Sequence, residues 1–192
     1  MHDSGHINNI FQATIDNDLA RVIAIIKSGI NINQKHPQIQ LTPLIQAINL
    51  RRLEIIKIFL EAGADPNLCQ DVYATPLDLA ISIENIELIE LLIRAGANPN
   101  FCGVGSSALK RAIDIERIDI IKILIDAEAD LNHKNESFIY AANNGKFEIV
   151  KFLVDTGVVY INVKNEDGET ALDKARYWGY QDIVDYLLPW AE

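Results

Sequence analysis

Thr42-Pro43-Leu44-Ile45-Gln46-Ala47 opens a stretch that is rewritten 33 residues later as Thr75-Pro76-Leu77-Asp78-Leu79-Ala80. The first copy continues through Leu53, Ile55, Ile56, Phe59 and Leu60 to Gly63-Ala64-Asp65-Pro66-Asn67. The second runs through Ile86, Leu88, Ile89, Leu92 and Ile93 to Gly96-Ala97-Asn98-Pro99-Asn100. Self-similarity at this period decides the fold, because it marks stacked units that each bury a face against the next.

Weaker copies extend the frame in both directions. One starts at Ser107, keeps Leu109, Ala112, Ile118, Ile120, Ile121, Leu124 and Ile125, and closes at Asn132. Another starts near Glu136, keeps Phe138, Ala141, Gly145, Ile149, Val150 and Leu153, and reaches Asn162 after one inserted residue. The last holds Asp167-Gly168-Glu169-Thr170-Ala171-Leu172, Ala175, Gly179 and Leu187-Leu188; the first is the faintest, with Asn8, Ile10, Ala13, Leu19, Gly29 and Asn33. Six repeats result, about 8–33, 37–67, 70–100, 102–132, 134–162 and 165–190, expected as a single domain over 1–192.

Each repeat reads as helix, turn, helix. Thr before Pro-Leu is a helix cap followed by proline at the first helical position, where a missing N–H is harmless. Ala47, Ala80, Ala112, Ala141 and Ala175 let two helices approach closely. The second helix carries an apolar stripe too wide for one pair to bury, so stacking is needed. Gly29, Gly63, Gly96 and Gly157 fall where helices end in a left-handed residue, and Glu128 takes that place in repeat four. The Asn closing each unit is expected to be structural, its side chain suiting a tight turn. Asn132 lies only four positions before Glu136, so the connection there is expected to be shortened or missing.

The motif resembles the ankyrin repeat, whose T-P-L-H-x-A signature and period it shares across nearly the whole chain. The resemblance implies an all-α ankyrin-repeat solenoid of helix-turn-helix units with β-turn fingers. The family's His is replaced by Ile45, Asp78, Lys110, Ile139 and Asp173. Its hydrogen bond is therefore expected to be absent or replaced.

The 192 residues carry a net charge of -10, which opposes binding to a phosphate backbone. Charges interrupt every apolar run before membrane-spanning length, and Met1-His2-Asp3 has no leader character. A cytoplasmic location is expected, with specialised export as a microbial effector compatible with the composition. Cys69 and Cys102 occupy equivalent points on successive fingers and are expected as thiols rather than a disulfide, since stacked helices stand about 8–10 Å apart. His2, His6, His36 and His133 include no C-x-x-C partner, and the one closely spaced pair, His2/His6, lies in a terminus expected to be frayed rather than on a predicted helix, so neither a metal nor a cofactor is expected. No nucleophile, phosphate-loop or dinucleotide motif is present, and the acids Glu166, Asp167 and Glu169 read as decoration of an exposed turn.

The resemblance places partner contacts on finger tips and near the ends of first helices. On this chain those are Gln38, Ile39, Leu41, Asp71, Val72, Tyr73, Val104 and Glu169, with Asn49, Leu50, Ser82, Ile83, Asp114, Ile115, Asn143, Asn144, Tyr177 and Trp178. Leu50, Ile83, Ile115, Asn144 and Trp178 share one offset and form a nearly apolar row, read either as an interaction strip or as extra core. The aromatic residues of repeat six, Tyr177, Trp178, Tyr180 and Tyr186, together with Trp190, either cap the core or anchor a partner. The expected protein is a monomeric, non-enzymatic module binding one protein partner, as scaffold, adaptor or inhibitor. A small-ligand binder or enzyme using the concave cleft is the alternative; a compact pocket of converging ionisable side chains would favour it, a broad groove would not.

Overall fold

The computed structural model describes residues 3–69, 74–100 and 107–191. Among them are twelve α-helices and no strand. The chain forms two compact units, residues 1–105 and 106–192. The first holds three antiparallel pairs, α1 (Asp3–Asp16) with α2 (Leu19–Lys27), α3 (Pro43–Asn49) with α4 (Leu53–Glu61), and α5 (Pro76–Ser82) with α6 (Ile86–Arg94). The second holds α7 (Ala108–Asp114) with α8 (Ile118–Asp126), α9 (Leu131–Asn143) with α10 (Phe147–Asp155), and α11 (Ala171–Trp178) with α12 (Gln181–Leu187), closed by a 3-10 turn at Leu188–Trp190. Within each unit, the first helix of a pair packs on the first helix of the next.

The caps form as the sequence dictates. Thr42 Oγ1 accepts the Ile45 N–H, and Ser107 Oγ the Lys110 N–H. Asp78 and Asp173 replace the family's histidine by closing reciprocal capping boxes: each carboxylate accepts the backbone N–H and hydroxyl of Thr75 or Thr170. Ala47, Ala80, Ala112, Ala141 and Ala175 are fully buried, as are the inner positions Ile55, Ile56, Phe59, Leu88, Ile89 and Leu92 of the second helices. Each such aliphatic or aromatic side chain contributes roughly 1.5–3 kcal/mol on burial.

In the first five repeats both helices end in a left-handed residue. At the second helix it is Gly29, Gly63, Gly96, Gly157 and, at φ 60°, Glu128. The Glu128 N–H bonds the Ile125 carbonyl and the Ala129 N–H the Leu124 carbonyl, the paired bonds that terminate a helix around a left-handed residue. Holding a side chain there costs about 1 kcal/mol relative to glycine. Glu128→Gly is therefore expected to raise stability by up to about 1 kcal/mol in urea unfolding, and an unchanged midpoint would contradict it.

The closing asparagines are structural, but they reach across repeats rather than into their own turns. Asn33 donates to the Gly63 carbonyl at 3.1 Å and accepts the Asp65 N–H at 2.8 Å; Asn67 repeats both contacts with Gly96 and Asn98. The local turn is made two residues earlier, by Asn31, Asp65 and Asn98. Asn162 continues the ladder by donating to the Trp190 carbonyl at 2.9 Å.

Repeat five departs from this plan. The helix expected to start near Glu136 begins at Leu131, because Asp130 caps it by accepting the Asn132 N–H and no Gly or Pro follows to break it. The connection between α8 and α9 is thus a tight turn into a helix, with no finger. Asn132 lies inside that helix, and the buried Asn135, one turn later, accepts the Tyr160 N–H at 3.0 Å in the manner of the ladder.

The extended helix also puts Ser137, 1% exposed, where the other repeats have Pro43, Pro76, Ala108 or Ala171. Its hydroxyl is buried and has no hydrogen-bond partner among the described residues. Ser137→Ala removes that polar atom and improves helix propensity, for an expected gain of about 1 kcal/mol. A lower thermal midpoint in the variant would refute this.

Candidate partner-binding surface

The first-helix ends present the expected residues with unequal exposure. In the first unit Leu50 and Ile83 terminate α3 and α5 and are half-buried, while Asn49 and Ser82 are exposed and Ser82 Oγ donates to the Asp78 carbonyl. On the finger of residues 36–41, the His36 N–H bonds the Leu41 carbonyl and the Gln40 N–H the His36 carbonyl, which leaves Ile39 49% exposed and Leu41 half-buried. Asp71, Val72, Tyr73 and Val104 lie outside the described residues. So does Cys102; the Cys69 thiol donates to the Asn67 carbonyl.

In the second unit the same offsets gather into one connected surface. Ile115 is half-buried, and Asp114 accepts a hydrogen bond from the Tyr140 hydroxyl at 2.6 Å. That carboxylate, with partial burial, pushes the Tyr140 phenol above its ordinary pKa. Exposed Asn144 donates to the Tyr140 carbonyl, and Asn143 accepts the Trp178 indole N–H at 2.9 Å. Trp178 stands edge-on to Tyr177, ring centres 5.0 Å apart, and the two are 55% and 76% exposed. Both rings keep more than half of their surface in solvent. Tyr186 is anchored instead, its hydroxyl donating to Asp155, which raises the phenol pKa to about 12.

Beside this surface lies an open groove of about 670 Å³. Ile139, Tyr140 and Asn143 of α9 line it together with Lys110 of α7, Lys174 of α11 and the segment 163–167. Both lysines on its helices are held by carboxylates: Lys110 by Glu136 at 3.3 Å, and Lys174 by Glu169. The latter pairing holds the Glu169 carboxyl below its ordinary pKa and the Lys174 amine above its own. The groove itself was not legible from periodicity, because its walls come from three repeats; the short Asn132–Glu136 spacing was its one signal. Among the described residues, no cluster of His, Cys, Asp or Glu could hold a metal ion, and no helix is long and apolar enough to cross a membrane.

A family model of ankyrin repeats (3 copies) matches residues 44–135 and 129–192. A putative ankyrin repeat protein of fowlpox virus (strain NVSL) is 37% identical over 65 residues, 34% of this chain but 9% of that protein's length. Among solved structures, the ankyrin repeat protein EF0377 superposes with a TM-score of 0.78 at 24% identity, covering 97% of this chain and 98% of that one. A chain from the structure of the Bdellovibrio bacteriovorus predatory endopeptidase Bd0816 in complex with immunity protein Bd3460 gives a TM-score of 0.72 at 24% identity, over 94% and 97% of the two chains.

Proposed function

This chain belongs to the ankyrin repeat family, and we propose that it works by occupancy, as a scaffold, adaptor or inhibitor that holds one protein partner on the first-helix ends and fingers. The observation that carries this reading is the exposed Tyr177–Trp178 pair, held edge-to-face and pinned through the indole N–H to Asn143. Rigid, half-exposed aromatic rings cost little entropy to dock and dominate binding energy where they are buried by a partner. Asp114, Ile115, Asn143, Asn144 and Glu169 are assigned to the same partner-binding surface in this unit, with Asn143 bonded to the indole. Ile39, Leu41, Asn49, Leu50, Ser82 and Ile83 supply contacts in the other. A neighbour of the same fold solved in a protein–protein complex is consistent with the class of activity.

The alternative of a small-ligand site draws on the groove, where Lys110, Glu136, Tyr140 and Lys174 converge. Against it, Lys110 and Lys174 are each already held by a carboxylate and the groove is open rather than enclosed, whereas ligand sites bury most of their ligand. Affinity capture from the native cell, run in parallel with wild type and a Tyr177→Ala/Trp178→Ala double variant, tests the proposal. A protein retained by the first bait and lost from the second supports it. Equal recovery on both baits would move the binding surface elsewhere.

A further inference from the structure

The groove in the second unit lies where a finger is missing. At residues 36–41 the chain makes a turn closed by main-chain hydrogen bonds, and at residues 165–169 the Asn165 N–H bonds the Glu169 carbonyl in the same way. Between α8 and α9 no such turn exists, because residues 131–136 are helix. The finger beginning at Val163 therefore has an open flank, and that flank is a wall of the groove. A space vacated by a turn whose two arms pair through main-chain bonds has room for a single extended chain.

From this placement we propose that the groove takes an extended segment of a partner protein carrying a lysine or arginine, laid where the missing finger would run. The inference rests on the protein-binding reading above and names the partner's chemistry at one site. Two features set that chemistry. Carboxamides lie along the groove at Asn132 and Asn143; Asn143 gives its oxygen to Trp178 and keeps its NH₂ as a donor, the kind of group that pairs with main-chain carbonyls. The charge balance favours a cation: with Lys110 held by Glu136 and Lys174 by Glu169, the exposed Glu166 and Asp167 outnumber Lys164 on the wall. The net charge of -10 draws cationic segments over longer range.

The probe is a phage-displayed library of random linear peptides panned against the full chain, followed by titration of the enriched peptides. Enriched sequences are expected to share a basic residue, and a Glu166→Lys/Asp167→Lys variant should weaken them by about tenfold or more while Glu61→Lys, at an exposed acid outside both surfaces, leaves them unchanged. Both acids are exposed, so a thermal melt matching wild type confirms that the double variant is folded. Enrichment of acidic or uncharged peptides, indifference to the double variant, or no enrichment would overturn the proposal. So would concentration-dependent dimers that the double variant dissolves, since a second copy would then be the occupant. A partner captured through Tyr177 and Trp178 while no peptide enters the groove would refute this inference and leave the function above standing.

Discussion

Phe138→Ala is expected to destabilise the protein by about 3–5 kcal/mol, which is most of the stability a small domain has. Phe138 is 0% exposed and stands where the other repeats carry Leu44, Leu77, Leu109 and Leu172. It sits on α9, which packs against α7, α10 and α11. Deleting the ring removes the transfer free energy of a buried aromatic side chain and opens a void between helices that turns and caps hold in place. Phe138→Leu restores the residue type of the other repeats and should cost no more than about 1.5 kcal/mol. Urea unfolding of the two variants against wild type measures both values; a loss below about 1.5 kcal/mol for the alanine variant would mean that α9 collapses onto its neighbours. Since α9 also lines the groove, Phe138→Ala is unsuited to binding measurements.

The parts of this fold that were readable in sequence are those set by local chemistry repeated in register. Thr42, Thr75 and Thr170 cap helices because a hydroxyl three residues before a backbone N–H needs nothing from elsewhere in the chain. The buried alanines follow from the period alone. Other features escaped because their signal is spread through space. Asn17, Arg51, Glu84 and Glu116 end first helices at φ 55–56°, a conformation usually signalled by glycine. They hold it because paired bonds, such as Arg51 N–H to Ile48 and Arg52 N–H to Ala47, offset a penalty of about 1 kcal/mol. The reach of Asn33 and Asn67 into the following repeat depends on how repeats stack, so the sequence suggested only a turn. The spacing from Asn132 to Glu136 revealed a missing finger, but the takeover of the ladder by Asn135 has meaning only once that segment is known to be helical.

The proposed row shows the same division. Leu50, Ile83 and Ile115 occupy helix-terminating positions, where neither the helical nor the strand period predicts exposure, and all three are half-buried. An offset located them but could not say how much of each remains in contact with solvent. Trp178 also precedes a left-handed residue, Gly179, as the other three precede Arg51, Glu84 and Glu116, but it differs in being 55% exposed. Its indole stands at the helix end, held by Asn143 and Tyr177 rather than by a covering repeat.

Trp178→Ala is accordingly expected to weaken binding of the captured partner by about 2 kcal/mol or more, a thirtyfold or greater rise in Kd. The ring is 55% exposed in the unbound protein, so a partner that covers it gains the burial of a large apolar surface. The contacts with Asn143 and Tyr177 fix its orientation beforehand, which reduces the ordering cost of docking. Removing an indole that is already half in solvent should lower the folding free energy by only about 1 kcal/mol. Trp178→Phe separates the two contributions, since it keeps an aromatic face and loses the N–H bond to Asn143; an intermediate affinity is expected. Isothermal titration of the partner into the three proteins, with thermal melts alongside, gives both quantities. If Trp178→Ala binds as tightly as wild type, or its midpoint falls as far as that of a core deletion, the aromatic pair seals the end of the stack and is not the anchor.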